Sequence, residues 1–258
     1  MKKTILILFL ALIYISPGAQ TASFIPLKKG VVCTYKYFNS KGKPEIVKGS
    51  KEEAFLRQTV VDVETEGNAT VVTLSCESNQ VDNIDYGEQI VEDLKNLKFR
   101  IEDNVLYADN IMAKTSALLS SEFEKMSSDN MKVDIKIDGQ QTQIPLDLSI
   151  GQILPDEEVM KTTIKMSGMM SMTFYTITTY RNRKVEAKED VATPAGTFNC
   201  FKISYDLEAA MDMGMMKQSS TEKVIEWLSP EIGMIKTERY SEKRKLSSTT
   251  VLSEVKNL

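Results

Sequence analysis

The sequence contains no histidine among its 258 residues, and this absence excludes whole classes of active site. Ser-His-Asp and Cys-His catalysis both need an imidazole base. The common zinc sites need histidine or four cysteines, and the chain has 3 cysteines. No glycine-rich phosphate loop is present, and nothing singles out a carboxylate pair for hydrolysis. We therefore expect no catalytic residues, no metal site, no cofactor and no enzymatic activity.

The low number of cysteines also limits disulfide bonding. An odd number of cysteines in an exported chain permits at most one internal bridge and leaves one free thiol. In the period-two pattern of a strand, Cys33 shares its phase with Val31 and Tyr35, and Cys76 also falls in an apolar phase, whereas Cys200 falls in a polar phase. We predict a Cys33–Cys76 disulfide. Three reduced, partly buried cysteines are the alternative.

Long apolar runs are scarce, and the one that is present lies at the N-terminus. Two lysines precede an unbroken apolar run from Ile5 to Ile15. Its length fits a secretory signal of roughly 7–15 residues and is below the roughly 20 residues that span a bilayer. Small residues suited to cleavage follow at Ala19 and Ala22. We predict a signal peptide over residues 1–22, a periplasmic or secreted location, and no transmembrane span after its removal.

Neither sign of charge dominates the chain. The formal net charge is −4, so a nucleic-acid partner has no electrostatic support. The hydrophobic content of 42% and the charged content of 26% are ordinary for a globular protein. We expect residues 23–258 to form a single β-rich domain, with a soft boundary near residues 127–130.

Alternation of apolar and polar residues dominates the chain and predicts β-strands. In the first half it predicts strands at Val31–Phe38, Arg57–Glu64, Thr70–Glu77, within Lys98–Ala108, and at Met131–Ile137. In the second half it predicts a meander of Glu158–Met166, Ser171–Lys188, Thr197–Glu208, Thr221–Leu228, Met234–Ser241 and Leu246–Val255. Because the apolar residues lie on one face, we predict a mainly β fold with a strongly curved antiparallel sheet, an open barrel or half-barrel.

One segment has the spacing of an amphipathic helix instead. Between Asn110 and Ser127 the apolar residues form a single helical stripe, and Asp109 or Asn110 could cap its first turn. We predict one amphipathic helix there, packed across the concave face of the sheet.

Methionine is the conspicuous residue type, and more than half of its 14 copies lie in two clusters of the C-terminal half, Met166, Met169, Met170 and Met172 in one and Met211, Met213, Met215 and Met216 in the other. If Pro194 and Ala195 form the centre of a hairpin turn, the antiparallel ladder places Thr176 opposite Met213 and Phe174 opposite Met215. Both clusters would then lie at one end of the sheet, around a rim.

Three interpretations of this rim stay open: ordinary filling of the core, an adaptable apolar surface for an acyl chain or partner peptide, and thioether binding of Cu(I). For a hydrophobic ligand we expect contacts from the rim and from the stripe of the helix. The predicted ligand-binding residues are Met166, Met170, Met172, Met211, Met213, Met215, Leu118, Leu119 and Phe123.

Two stretches of the C-terminal half, Asp190–Ile203 and Glu226–Tyr240, resemble the TapB-like family of bacterial exported proteins. The segment Ile150–Asp156 resembles the loop that precedes the meander in that family. The resemblance implies an exported protein with a half-barrel similar to those of the lipoprotein-localisation carriers, whose concave apolar face is closed by a helix. It implies no catalytic activity and no functional residue.

Taken together, these patterns favour a non-catalytic envelope-accessory protein that binds an acyl chain or another lipid-like small molecule in a concave apolar face. The alternative is an assembly factor that binds a protein partner through a sheet edge, and the third hypothesis is a methionine-rich Cu(I)-binding protein.

Overall fold

The chain folds into a single large β-sheet. The computed structural model describes residues 22–79, 97–108, 131–139, 141–168, 171–212, 214 and 216–258. Its strands are β1 (Val32–Asn39), β2 (Phe55–Glu66), β3 (Ala69–Ser78), β4 (Leu97–Glu102), β5 (Val105–Ala108), β6 (Met131–Gly139), β7 (Thr142–Pro145), β8 (Glu157–Gly168), β9 (Met172–Thr193), β10 (Gly196–Asp212), β11 (Lys217–Ser229), β12 (Gly233–Tyr240) and β13 (Leu246–Lys256).

The strand order is β6-β8-β9-β10-β11-β12-β13-β1-β2-β3-β4-β5-β7, and the recorded strand pairs are antiparallel. The mainly β, antiparallel fold predicted from the alternation is therefore confirmed. The predicted helix at Asn110–Ser127 and the soft boundary near residues 127–130 lie outside the described residues. Within the described ranges there is no helix, and hence none long and apolar enough to cross a membrane.

The core lies on the concave face of this sheet. Alternate residues of β1, β3, β10 and β11 point into it, as the period of two requires. Its largest fully buried side chains include Tyr35, Leu97, Leu106, Leu154 and Ile235.

The long hairpin of β9 and β10 departs from regular pairing at two points. Beside the turn, Gly196 pairs with Thr193, as predicted from the Pro194-Ala195 centre. The register then shifts between Lys202 and Ile203 and again between Ser204 and Asp206, so that Met211 pairs with Thr176. Such bulges insert an extra residue into one strand and change which side chains face inward.

The burial of Cys200 is a correction to the sequence analysis, which placed this residue on a polar face. Cys200 is buried, and so is its neighbour Phe201 on the opposite face of β10. The second face is covered because Trp227, paired with Lys202, lies there under the ammonium groups of Lys202 and Lys236, at 5.3 and 4.8 Å from the ring centre. Long lysine side chains cover apolar surface while their charges stay in water. A strand face that alternation marks as polar, because it carries Lys202, can therefore bury Cys200.

A buried ion pair ties the edge strand β7, at one end of the strand order, to β8 and β9 near the other end. Nη1 of Arg183, on β9, lies 2.6 Å from Oε1 of Glu157, on β8. Nη2 of Arg183 donates to the backbone carbonyl of Gln143 on the edge strand β7. The backbone N–H of Gln143 in turn donates to Oε1 of Glu157. We call these three residues the latch. The latch ties β7 to β8 and β9, with which β7 shares no ladder.

The connection between β7 and β8 reinforces the latch. Residues 146–156 run beside β9, where the Gly151 amide donates to the Val185 carbonyl and the Val185 amide donates to the Gln152 carbonyl. Leu146, Leu148 and Leu154 of this connection are buried in the core. The segment therefore serves as a further, irregular strip along the rolled sheet.

The segment that precedes β1 closes the other side of the core. The amides of Ser23 and Phe24 both donate to the carbonyl of Pro230, each at 2.8 Å. Phe24 and Ile25 are buried, and Gly233 makes room for them, because a Cβ at this position would lie 2.3 Å from the Phe24 carbonyl oxygen. We call residues 22–26 the N-terminal segment.

We predict that Arg183→Met lowers the free energy of unfolding by about 3–5 kcal/mol, because the Glu157 carboxyl is left buried without its cation. The double variant Arg183→Met/Glu157→Gln should recover part of this loss. The control is Arg181→Met, since the Arg181 side chain is 50% exposed and its ion pair should contribute less than about 1 kcal/mol. Urea unfolding at pH 7 measures all three. Equal losses at positions 183 and 181 would contradict the role of the latch.

We also predict that Gly233→Ala destabilises the protein by about 2–4 kcal/mol, because the new methyl group collides with the backbone of the N-terminal segment. Gly151→Ala is the matched control. Gly151 has φ +87 against +88 for Gly233, but a Cβ there meets nothing within 4 Å, so only the backbone strain of about 1 kcal/mol remains. Thermal unfolding should separate the two variants by several degrees, and coincident curves would refute the close contact.

Candidate functional site

The concave face and the N-terminal segment line an apolar cavity of about 300 Å³ that is open to solvent on one side. Most of its wall consists of aliphatic and aromatic side chains. They are contributed by the N-terminal segment, by the residue before β1, by β1 to β5, by β7, and by β11, β12 and the turn between them. The lining residues are Phe24, Ile25, Pro26, Val31, Cys33, Tyr35, Leu56, Gln58, Val60, Leu74, Phe99, Leu106, Ala108, Ile144, Glu226, Leu228, Ile232, Gly233 and Met234.

Strand register explains why these side chains converge. Tyr35 pairs with Leu56 and Cys33 pairs with Gln58, while Val60 pairs with Leu74. Directly paired residues point to the same face of a sheet, so the three strands present one continuous wall. The N-terminal segment and the β11–β12 turn supply the opposite wall through Phe24 and Ile232.

Two thiols lie in or beside this wall without forming a bridge. Cys33, Cys76 and Cys200 are all free, so the predicted Cys33–Cys76 disulfide is absent from the structure. Both Cys33 and Cys76 pair with Gln58, which lies between them on β2. Two interstrand spacings separate their backbones by about 9–10 Å, whereas a disulfide needs roughly 4.4–6.8 Å between Cα atoms. That both cysteines fall in an apolar phase therefore indicated that they lie on the same face of the sheet, but not that they lie on neighbouring strands.

These thiols carry little reactivity. Burial raises the pKa of Cys33 to about 11, and burial likewise raises the pKa of Cys76 to about 11. Since the thiolate is the nucleophilic form, both side chains stay protonated and behave as small apolar groups at neutral pH.

Glu226 is the single carboxyl side chain in the described cavity wall. It lies on β11 between Ile203 of β10 and Thr237 of β12. The Tyr205 hydroxyl donates to its Oε1 at 2.8 Å. Burial raises the pKa of Glu226, although the Tyr205 hydrogen bond and the charges of Arg183 and Arg239 act to lower it. The Tyr205 hydrogen bond and the two arginine charges therefore offset only part of the effect of burial on this carboxyl, which lies in the wall of an apolar cavity.

The described methionines of the predicted rim, Met166, Met172 and Met211, are not among the lining residues of this cavity. Met166 pairs with Met172 across β8 and β9, and Met211 pairs with Thr176, so these three share one face near one end of the sheet. Met172 and Met211 are exposed. The other predicted ligand-binding residues, Met170, Met213, Met215, Leu118, Leu119 and Phe123, lie outside the described residues, so their role in ligand binding stays a prediction.

Sequence reasoning missed the residues that define the cavity, although one signal was present. On β11 the inward phase runs Val224, Glu226, Leu228, and a carboxylate between two apolar residues of a core phase marks a special position. No comparable signal marked the N-terminal segment, because it has no periodic pattern and begins at the last residue of the predicted signal peptide. Among the residues that the structure describes, no group of three or more cysteine, aspartate or glutamate side chains could hold a metal ion.

Residues 28–252 match the model of the DUF3108-like family, and the chain therefore belongs to that family. No curated protein matches the chain. Among solved structures it is similar to a candidate lipoprotein from Parabacteroides distasonis, with 20% identity, a TM-score of 0.55, and coverage of 91% of this chain and 99% of the other. It is also similar to a candidate exported protein with a YmcC-like fold from Bacteroides fragilis, with 19% identity, a TM-score of 0.53, and coverage of 92% and 100%. At these identities the likeness shows a shared fold.

The pKa of Glu226 predicts a pH dependence that one substitution isolates. A carboxyl whose pKa is higher in the folded chain contributes stability below about pH 4.5, its ordinary pKa, and this contribution is lost as the pH rises through the folded value. The unfolding free energy of the wild type minus that of Glu226→Gln should therefore fall as the pH increases from 4 toward 7. Denaturant titrations at fixed pH values measure this difference.

Glu186→Gln is the control with the opposite sign. The Ser204 hydroxyl, at 2.8 Å, is the main cause that lowers the pKa of Glu186. The corresponding stability difference should thus rise with pH over the acidic range. A flat or rising difference for Glu226→Gln would contradict the burial of this carboxyl.

Proposed function

We propose that this DUF3108-like protein is a non-catalytic, extracytoplasmic binding protein that holds an apolar small molecule in the cavity. The observation that carries the proposal is the cavity itself, with a volume of about 300 Å³ and a wall that is predominantly hydrocarbon. Ligand pockets range over roughly 300–1,000 Å³ and are mostly apolar with a few placed polar groups.

The volume of the cavity limits the size of its occupant. An engineered apolar cavity of about 150 Å³ stays dry and binds benzene. Twice that volume accommodates roughly ten carbon atoms, which suits a medium-length alkyl or acyl chain rather than a complete phospholipid.

Burial of the chain supplies the driving force. Each methylene removed from water contributes about 0.8 kcal/mol, so a ten-carbon chain gains about 8 kcal/mol before the loss of translational and rotational freedom is subtracted. We therefore expect affinities in the micromolar range or weaker for a simple alkyl chain. The methionine at position 234 adds an adaptable side chain to the wall.

The absence of enzymatic activity is part of the same proposal. The buried thiols are protonated at neutral pH. Glu226 is the one carboxyl side chain in the described cavity wall. A pair of carboxylates that could divide acid and base roles does not occur in that wall. The chemistry of the cavity thus supports holding a ligand over converting it.

An extracytoplasmic location fits the predicted signal peptide and the lipoprotein and exported-protein descriptions of the two fold neighbours. The narrower TapB-like assignment stays a prediction. So do the two alternatives from the sequence, assembly through a sheet edge and Cu(I) binding, since no contact among the described residues favours either over the cavity.

We predict that 1-decanol binds the mature protein at one site and that Ala108→Phe weakens this binding at least tenfold by filling the cavity. Ala108 lines the cavity at the end of β5, while the control Ala192→Phe places the same ring on an exposed position of β9. Isothermal titration calorimetry gives the affinities, and thermal unfolding shows that both variants fold. Unchanged binding in folded Ala108→Phe, or no binding to the wild type, would refute the proposed function.

A further inference from the structure

The cavity wall has few polar groups, and its charged groups are of one sign. Of the described lining residues, one is acidic and none is lysine or arginine. Gln58 contributes a neutral amide, which hydrogen-bonds with Cys76. Among the described lining residues Glu226 is therefore the one carboxyl, and it is accompanied by the neutral polar groups of Gln58, Tyr35 and Cys33 in a wall that is otherwise mostly hydrocarbon.

Glu226 is held in place with acceptor capacity to spare. Tyr205 donates to Oε1, which fixes the carboxyl within the wall. A carboxyl group has two oxygens and about four acceptor sites when ionised, so one phenolic donor does not saturate it. Thr237 and Ile203, its direct neighbours across the ladders, set its position between β10 and β12.

Two arginines act on the Glu226 carboxyl, and each is also paired with another carboxylate. Arg183 of β9 and Arg239 of β12 act on the carboxyl through space, but Arg183 is bound to Glu157 in the latch and Arg239 lies 3.3 Å from Glu222. Tyr180 of β9 packs against Tyr205 with ring centres 4.8 Å apart. Neither arginine is among the described lining residues of the cavity, so an anionic ligand end would meet the Glu226 carboxyl in a wall that offers it no cation.

We propose, on the basis of the binding function proposed above, that the ligand is an apolar chain whose end carries a hydrogen-bond donor, and that Glu226 is the residue that recognises this end. The chemical class is a long-chain alcohol, amide or amine. A free fatty acid or an alkyl phosphate is disfavoured, because its anionic end meets an acceptor and a partial negative charge. Recognition of a donor by a buried acceptor also discriminates strongly against a chain that lacks it.

The test compares three probes with the same ten-carbon chain, 1-decanol, decylamine and sodium decanoate, at pH 7.5. The wild type should bind the alcohol and the amine about tenfold or more tightly than the carboxylate, as expected for one hydrogen bond to a charged group. Glu226→Gln keeps the side-chain volume and an oxygen that can accept from Tyr205, but it removes the acid. It should weaken decylamine binding about tenfold and improve decanoate binding, while the alcohol changes least.

The outcomes separate this inference from the proposed function. If the wild type binds all three probes equally, or if Glu226→Gln leaves their order unchanged, the role of Glu226 is refuted while the cavity remains a binding site. If none of the probes binds either protein, the binding function itself fails. Glu254→Gln, at an exposed position of β13 and outside the cavity wall, is the matched control and should leave all three affinities unchanged, because Glu254 pairs with Lys256 and not with a cation that acts on Glu226.

Discussion

The latch between Arg183, Glu157 and the Gln143 backbone is the constraint on which the rest of the structure depends. A sheet with this strand order has two distant ends, and its ladder alone leaves the edge strand β7 far from β8 and β9 in the order. The guanidinium spans this separation with directional contacts to a carboxylate and a carbonyl. A planar fork with five donors suits such bridging better than an ammonium would. Because β7 meets β8 and β9 there, the apolar face of β1 to β5 comes to face that of β11 and β12.

The latch in turn depends on an irregularity of β9. Alternate residues of a strand face opposite sides of the sheet, so buried residues should keep the same parity. On β9 the buried residue before Asn182 is the even-numbered Thr178, whereas the buried residues after it are the odd-numbered Arg183 and Val185. Asn182 has φ +56, a left-handed conformation that asparagine tolerates better than most residues. The ladder shifts at the same place, between Ser204 and Asp206. Without this bulge, Arg183 would point away from Glu157, so a local backbone feature directs a long-range closure.

The contrast between what was predictable and what was not follows from the range of each interaction. Period-two alternation is local, and it located β1, β2, β3 and the C-terminal meander to within a few residues. The Pro194-Ala195 turn fixed the register beside it, but two bulges moved Met211 opposite Thr176, two residues from the extrapolated ladder. Two other features depend on neighbours that are distant in sequence. Cys200 is buried on the face of β10 where Trp227 of β11 lies, and β2 separates Cys33 from Cys76. The cavity depends on the N-terminal segment, which has no periodic pattern to reveal it.

Glu226 shows how a site can be recognised when the family and the fold specify no activity. A carboxyl in the apolar phase of a central strand costs stability unless it is paired, and its direct partner is a neutral phenol rather than a cation. A leucine at this position would continue the phase of Val224 and Leu228 without this cost. The fold accommodates the carboxyl only where the core is not filled, at the wall of the cavity. Locally unfavourable residues that coincide with an unfilled volume are expected at functional positions. This coincidence is why the cavity is a stronger candidate for the site than the exposed side chains of Met172 and Met211.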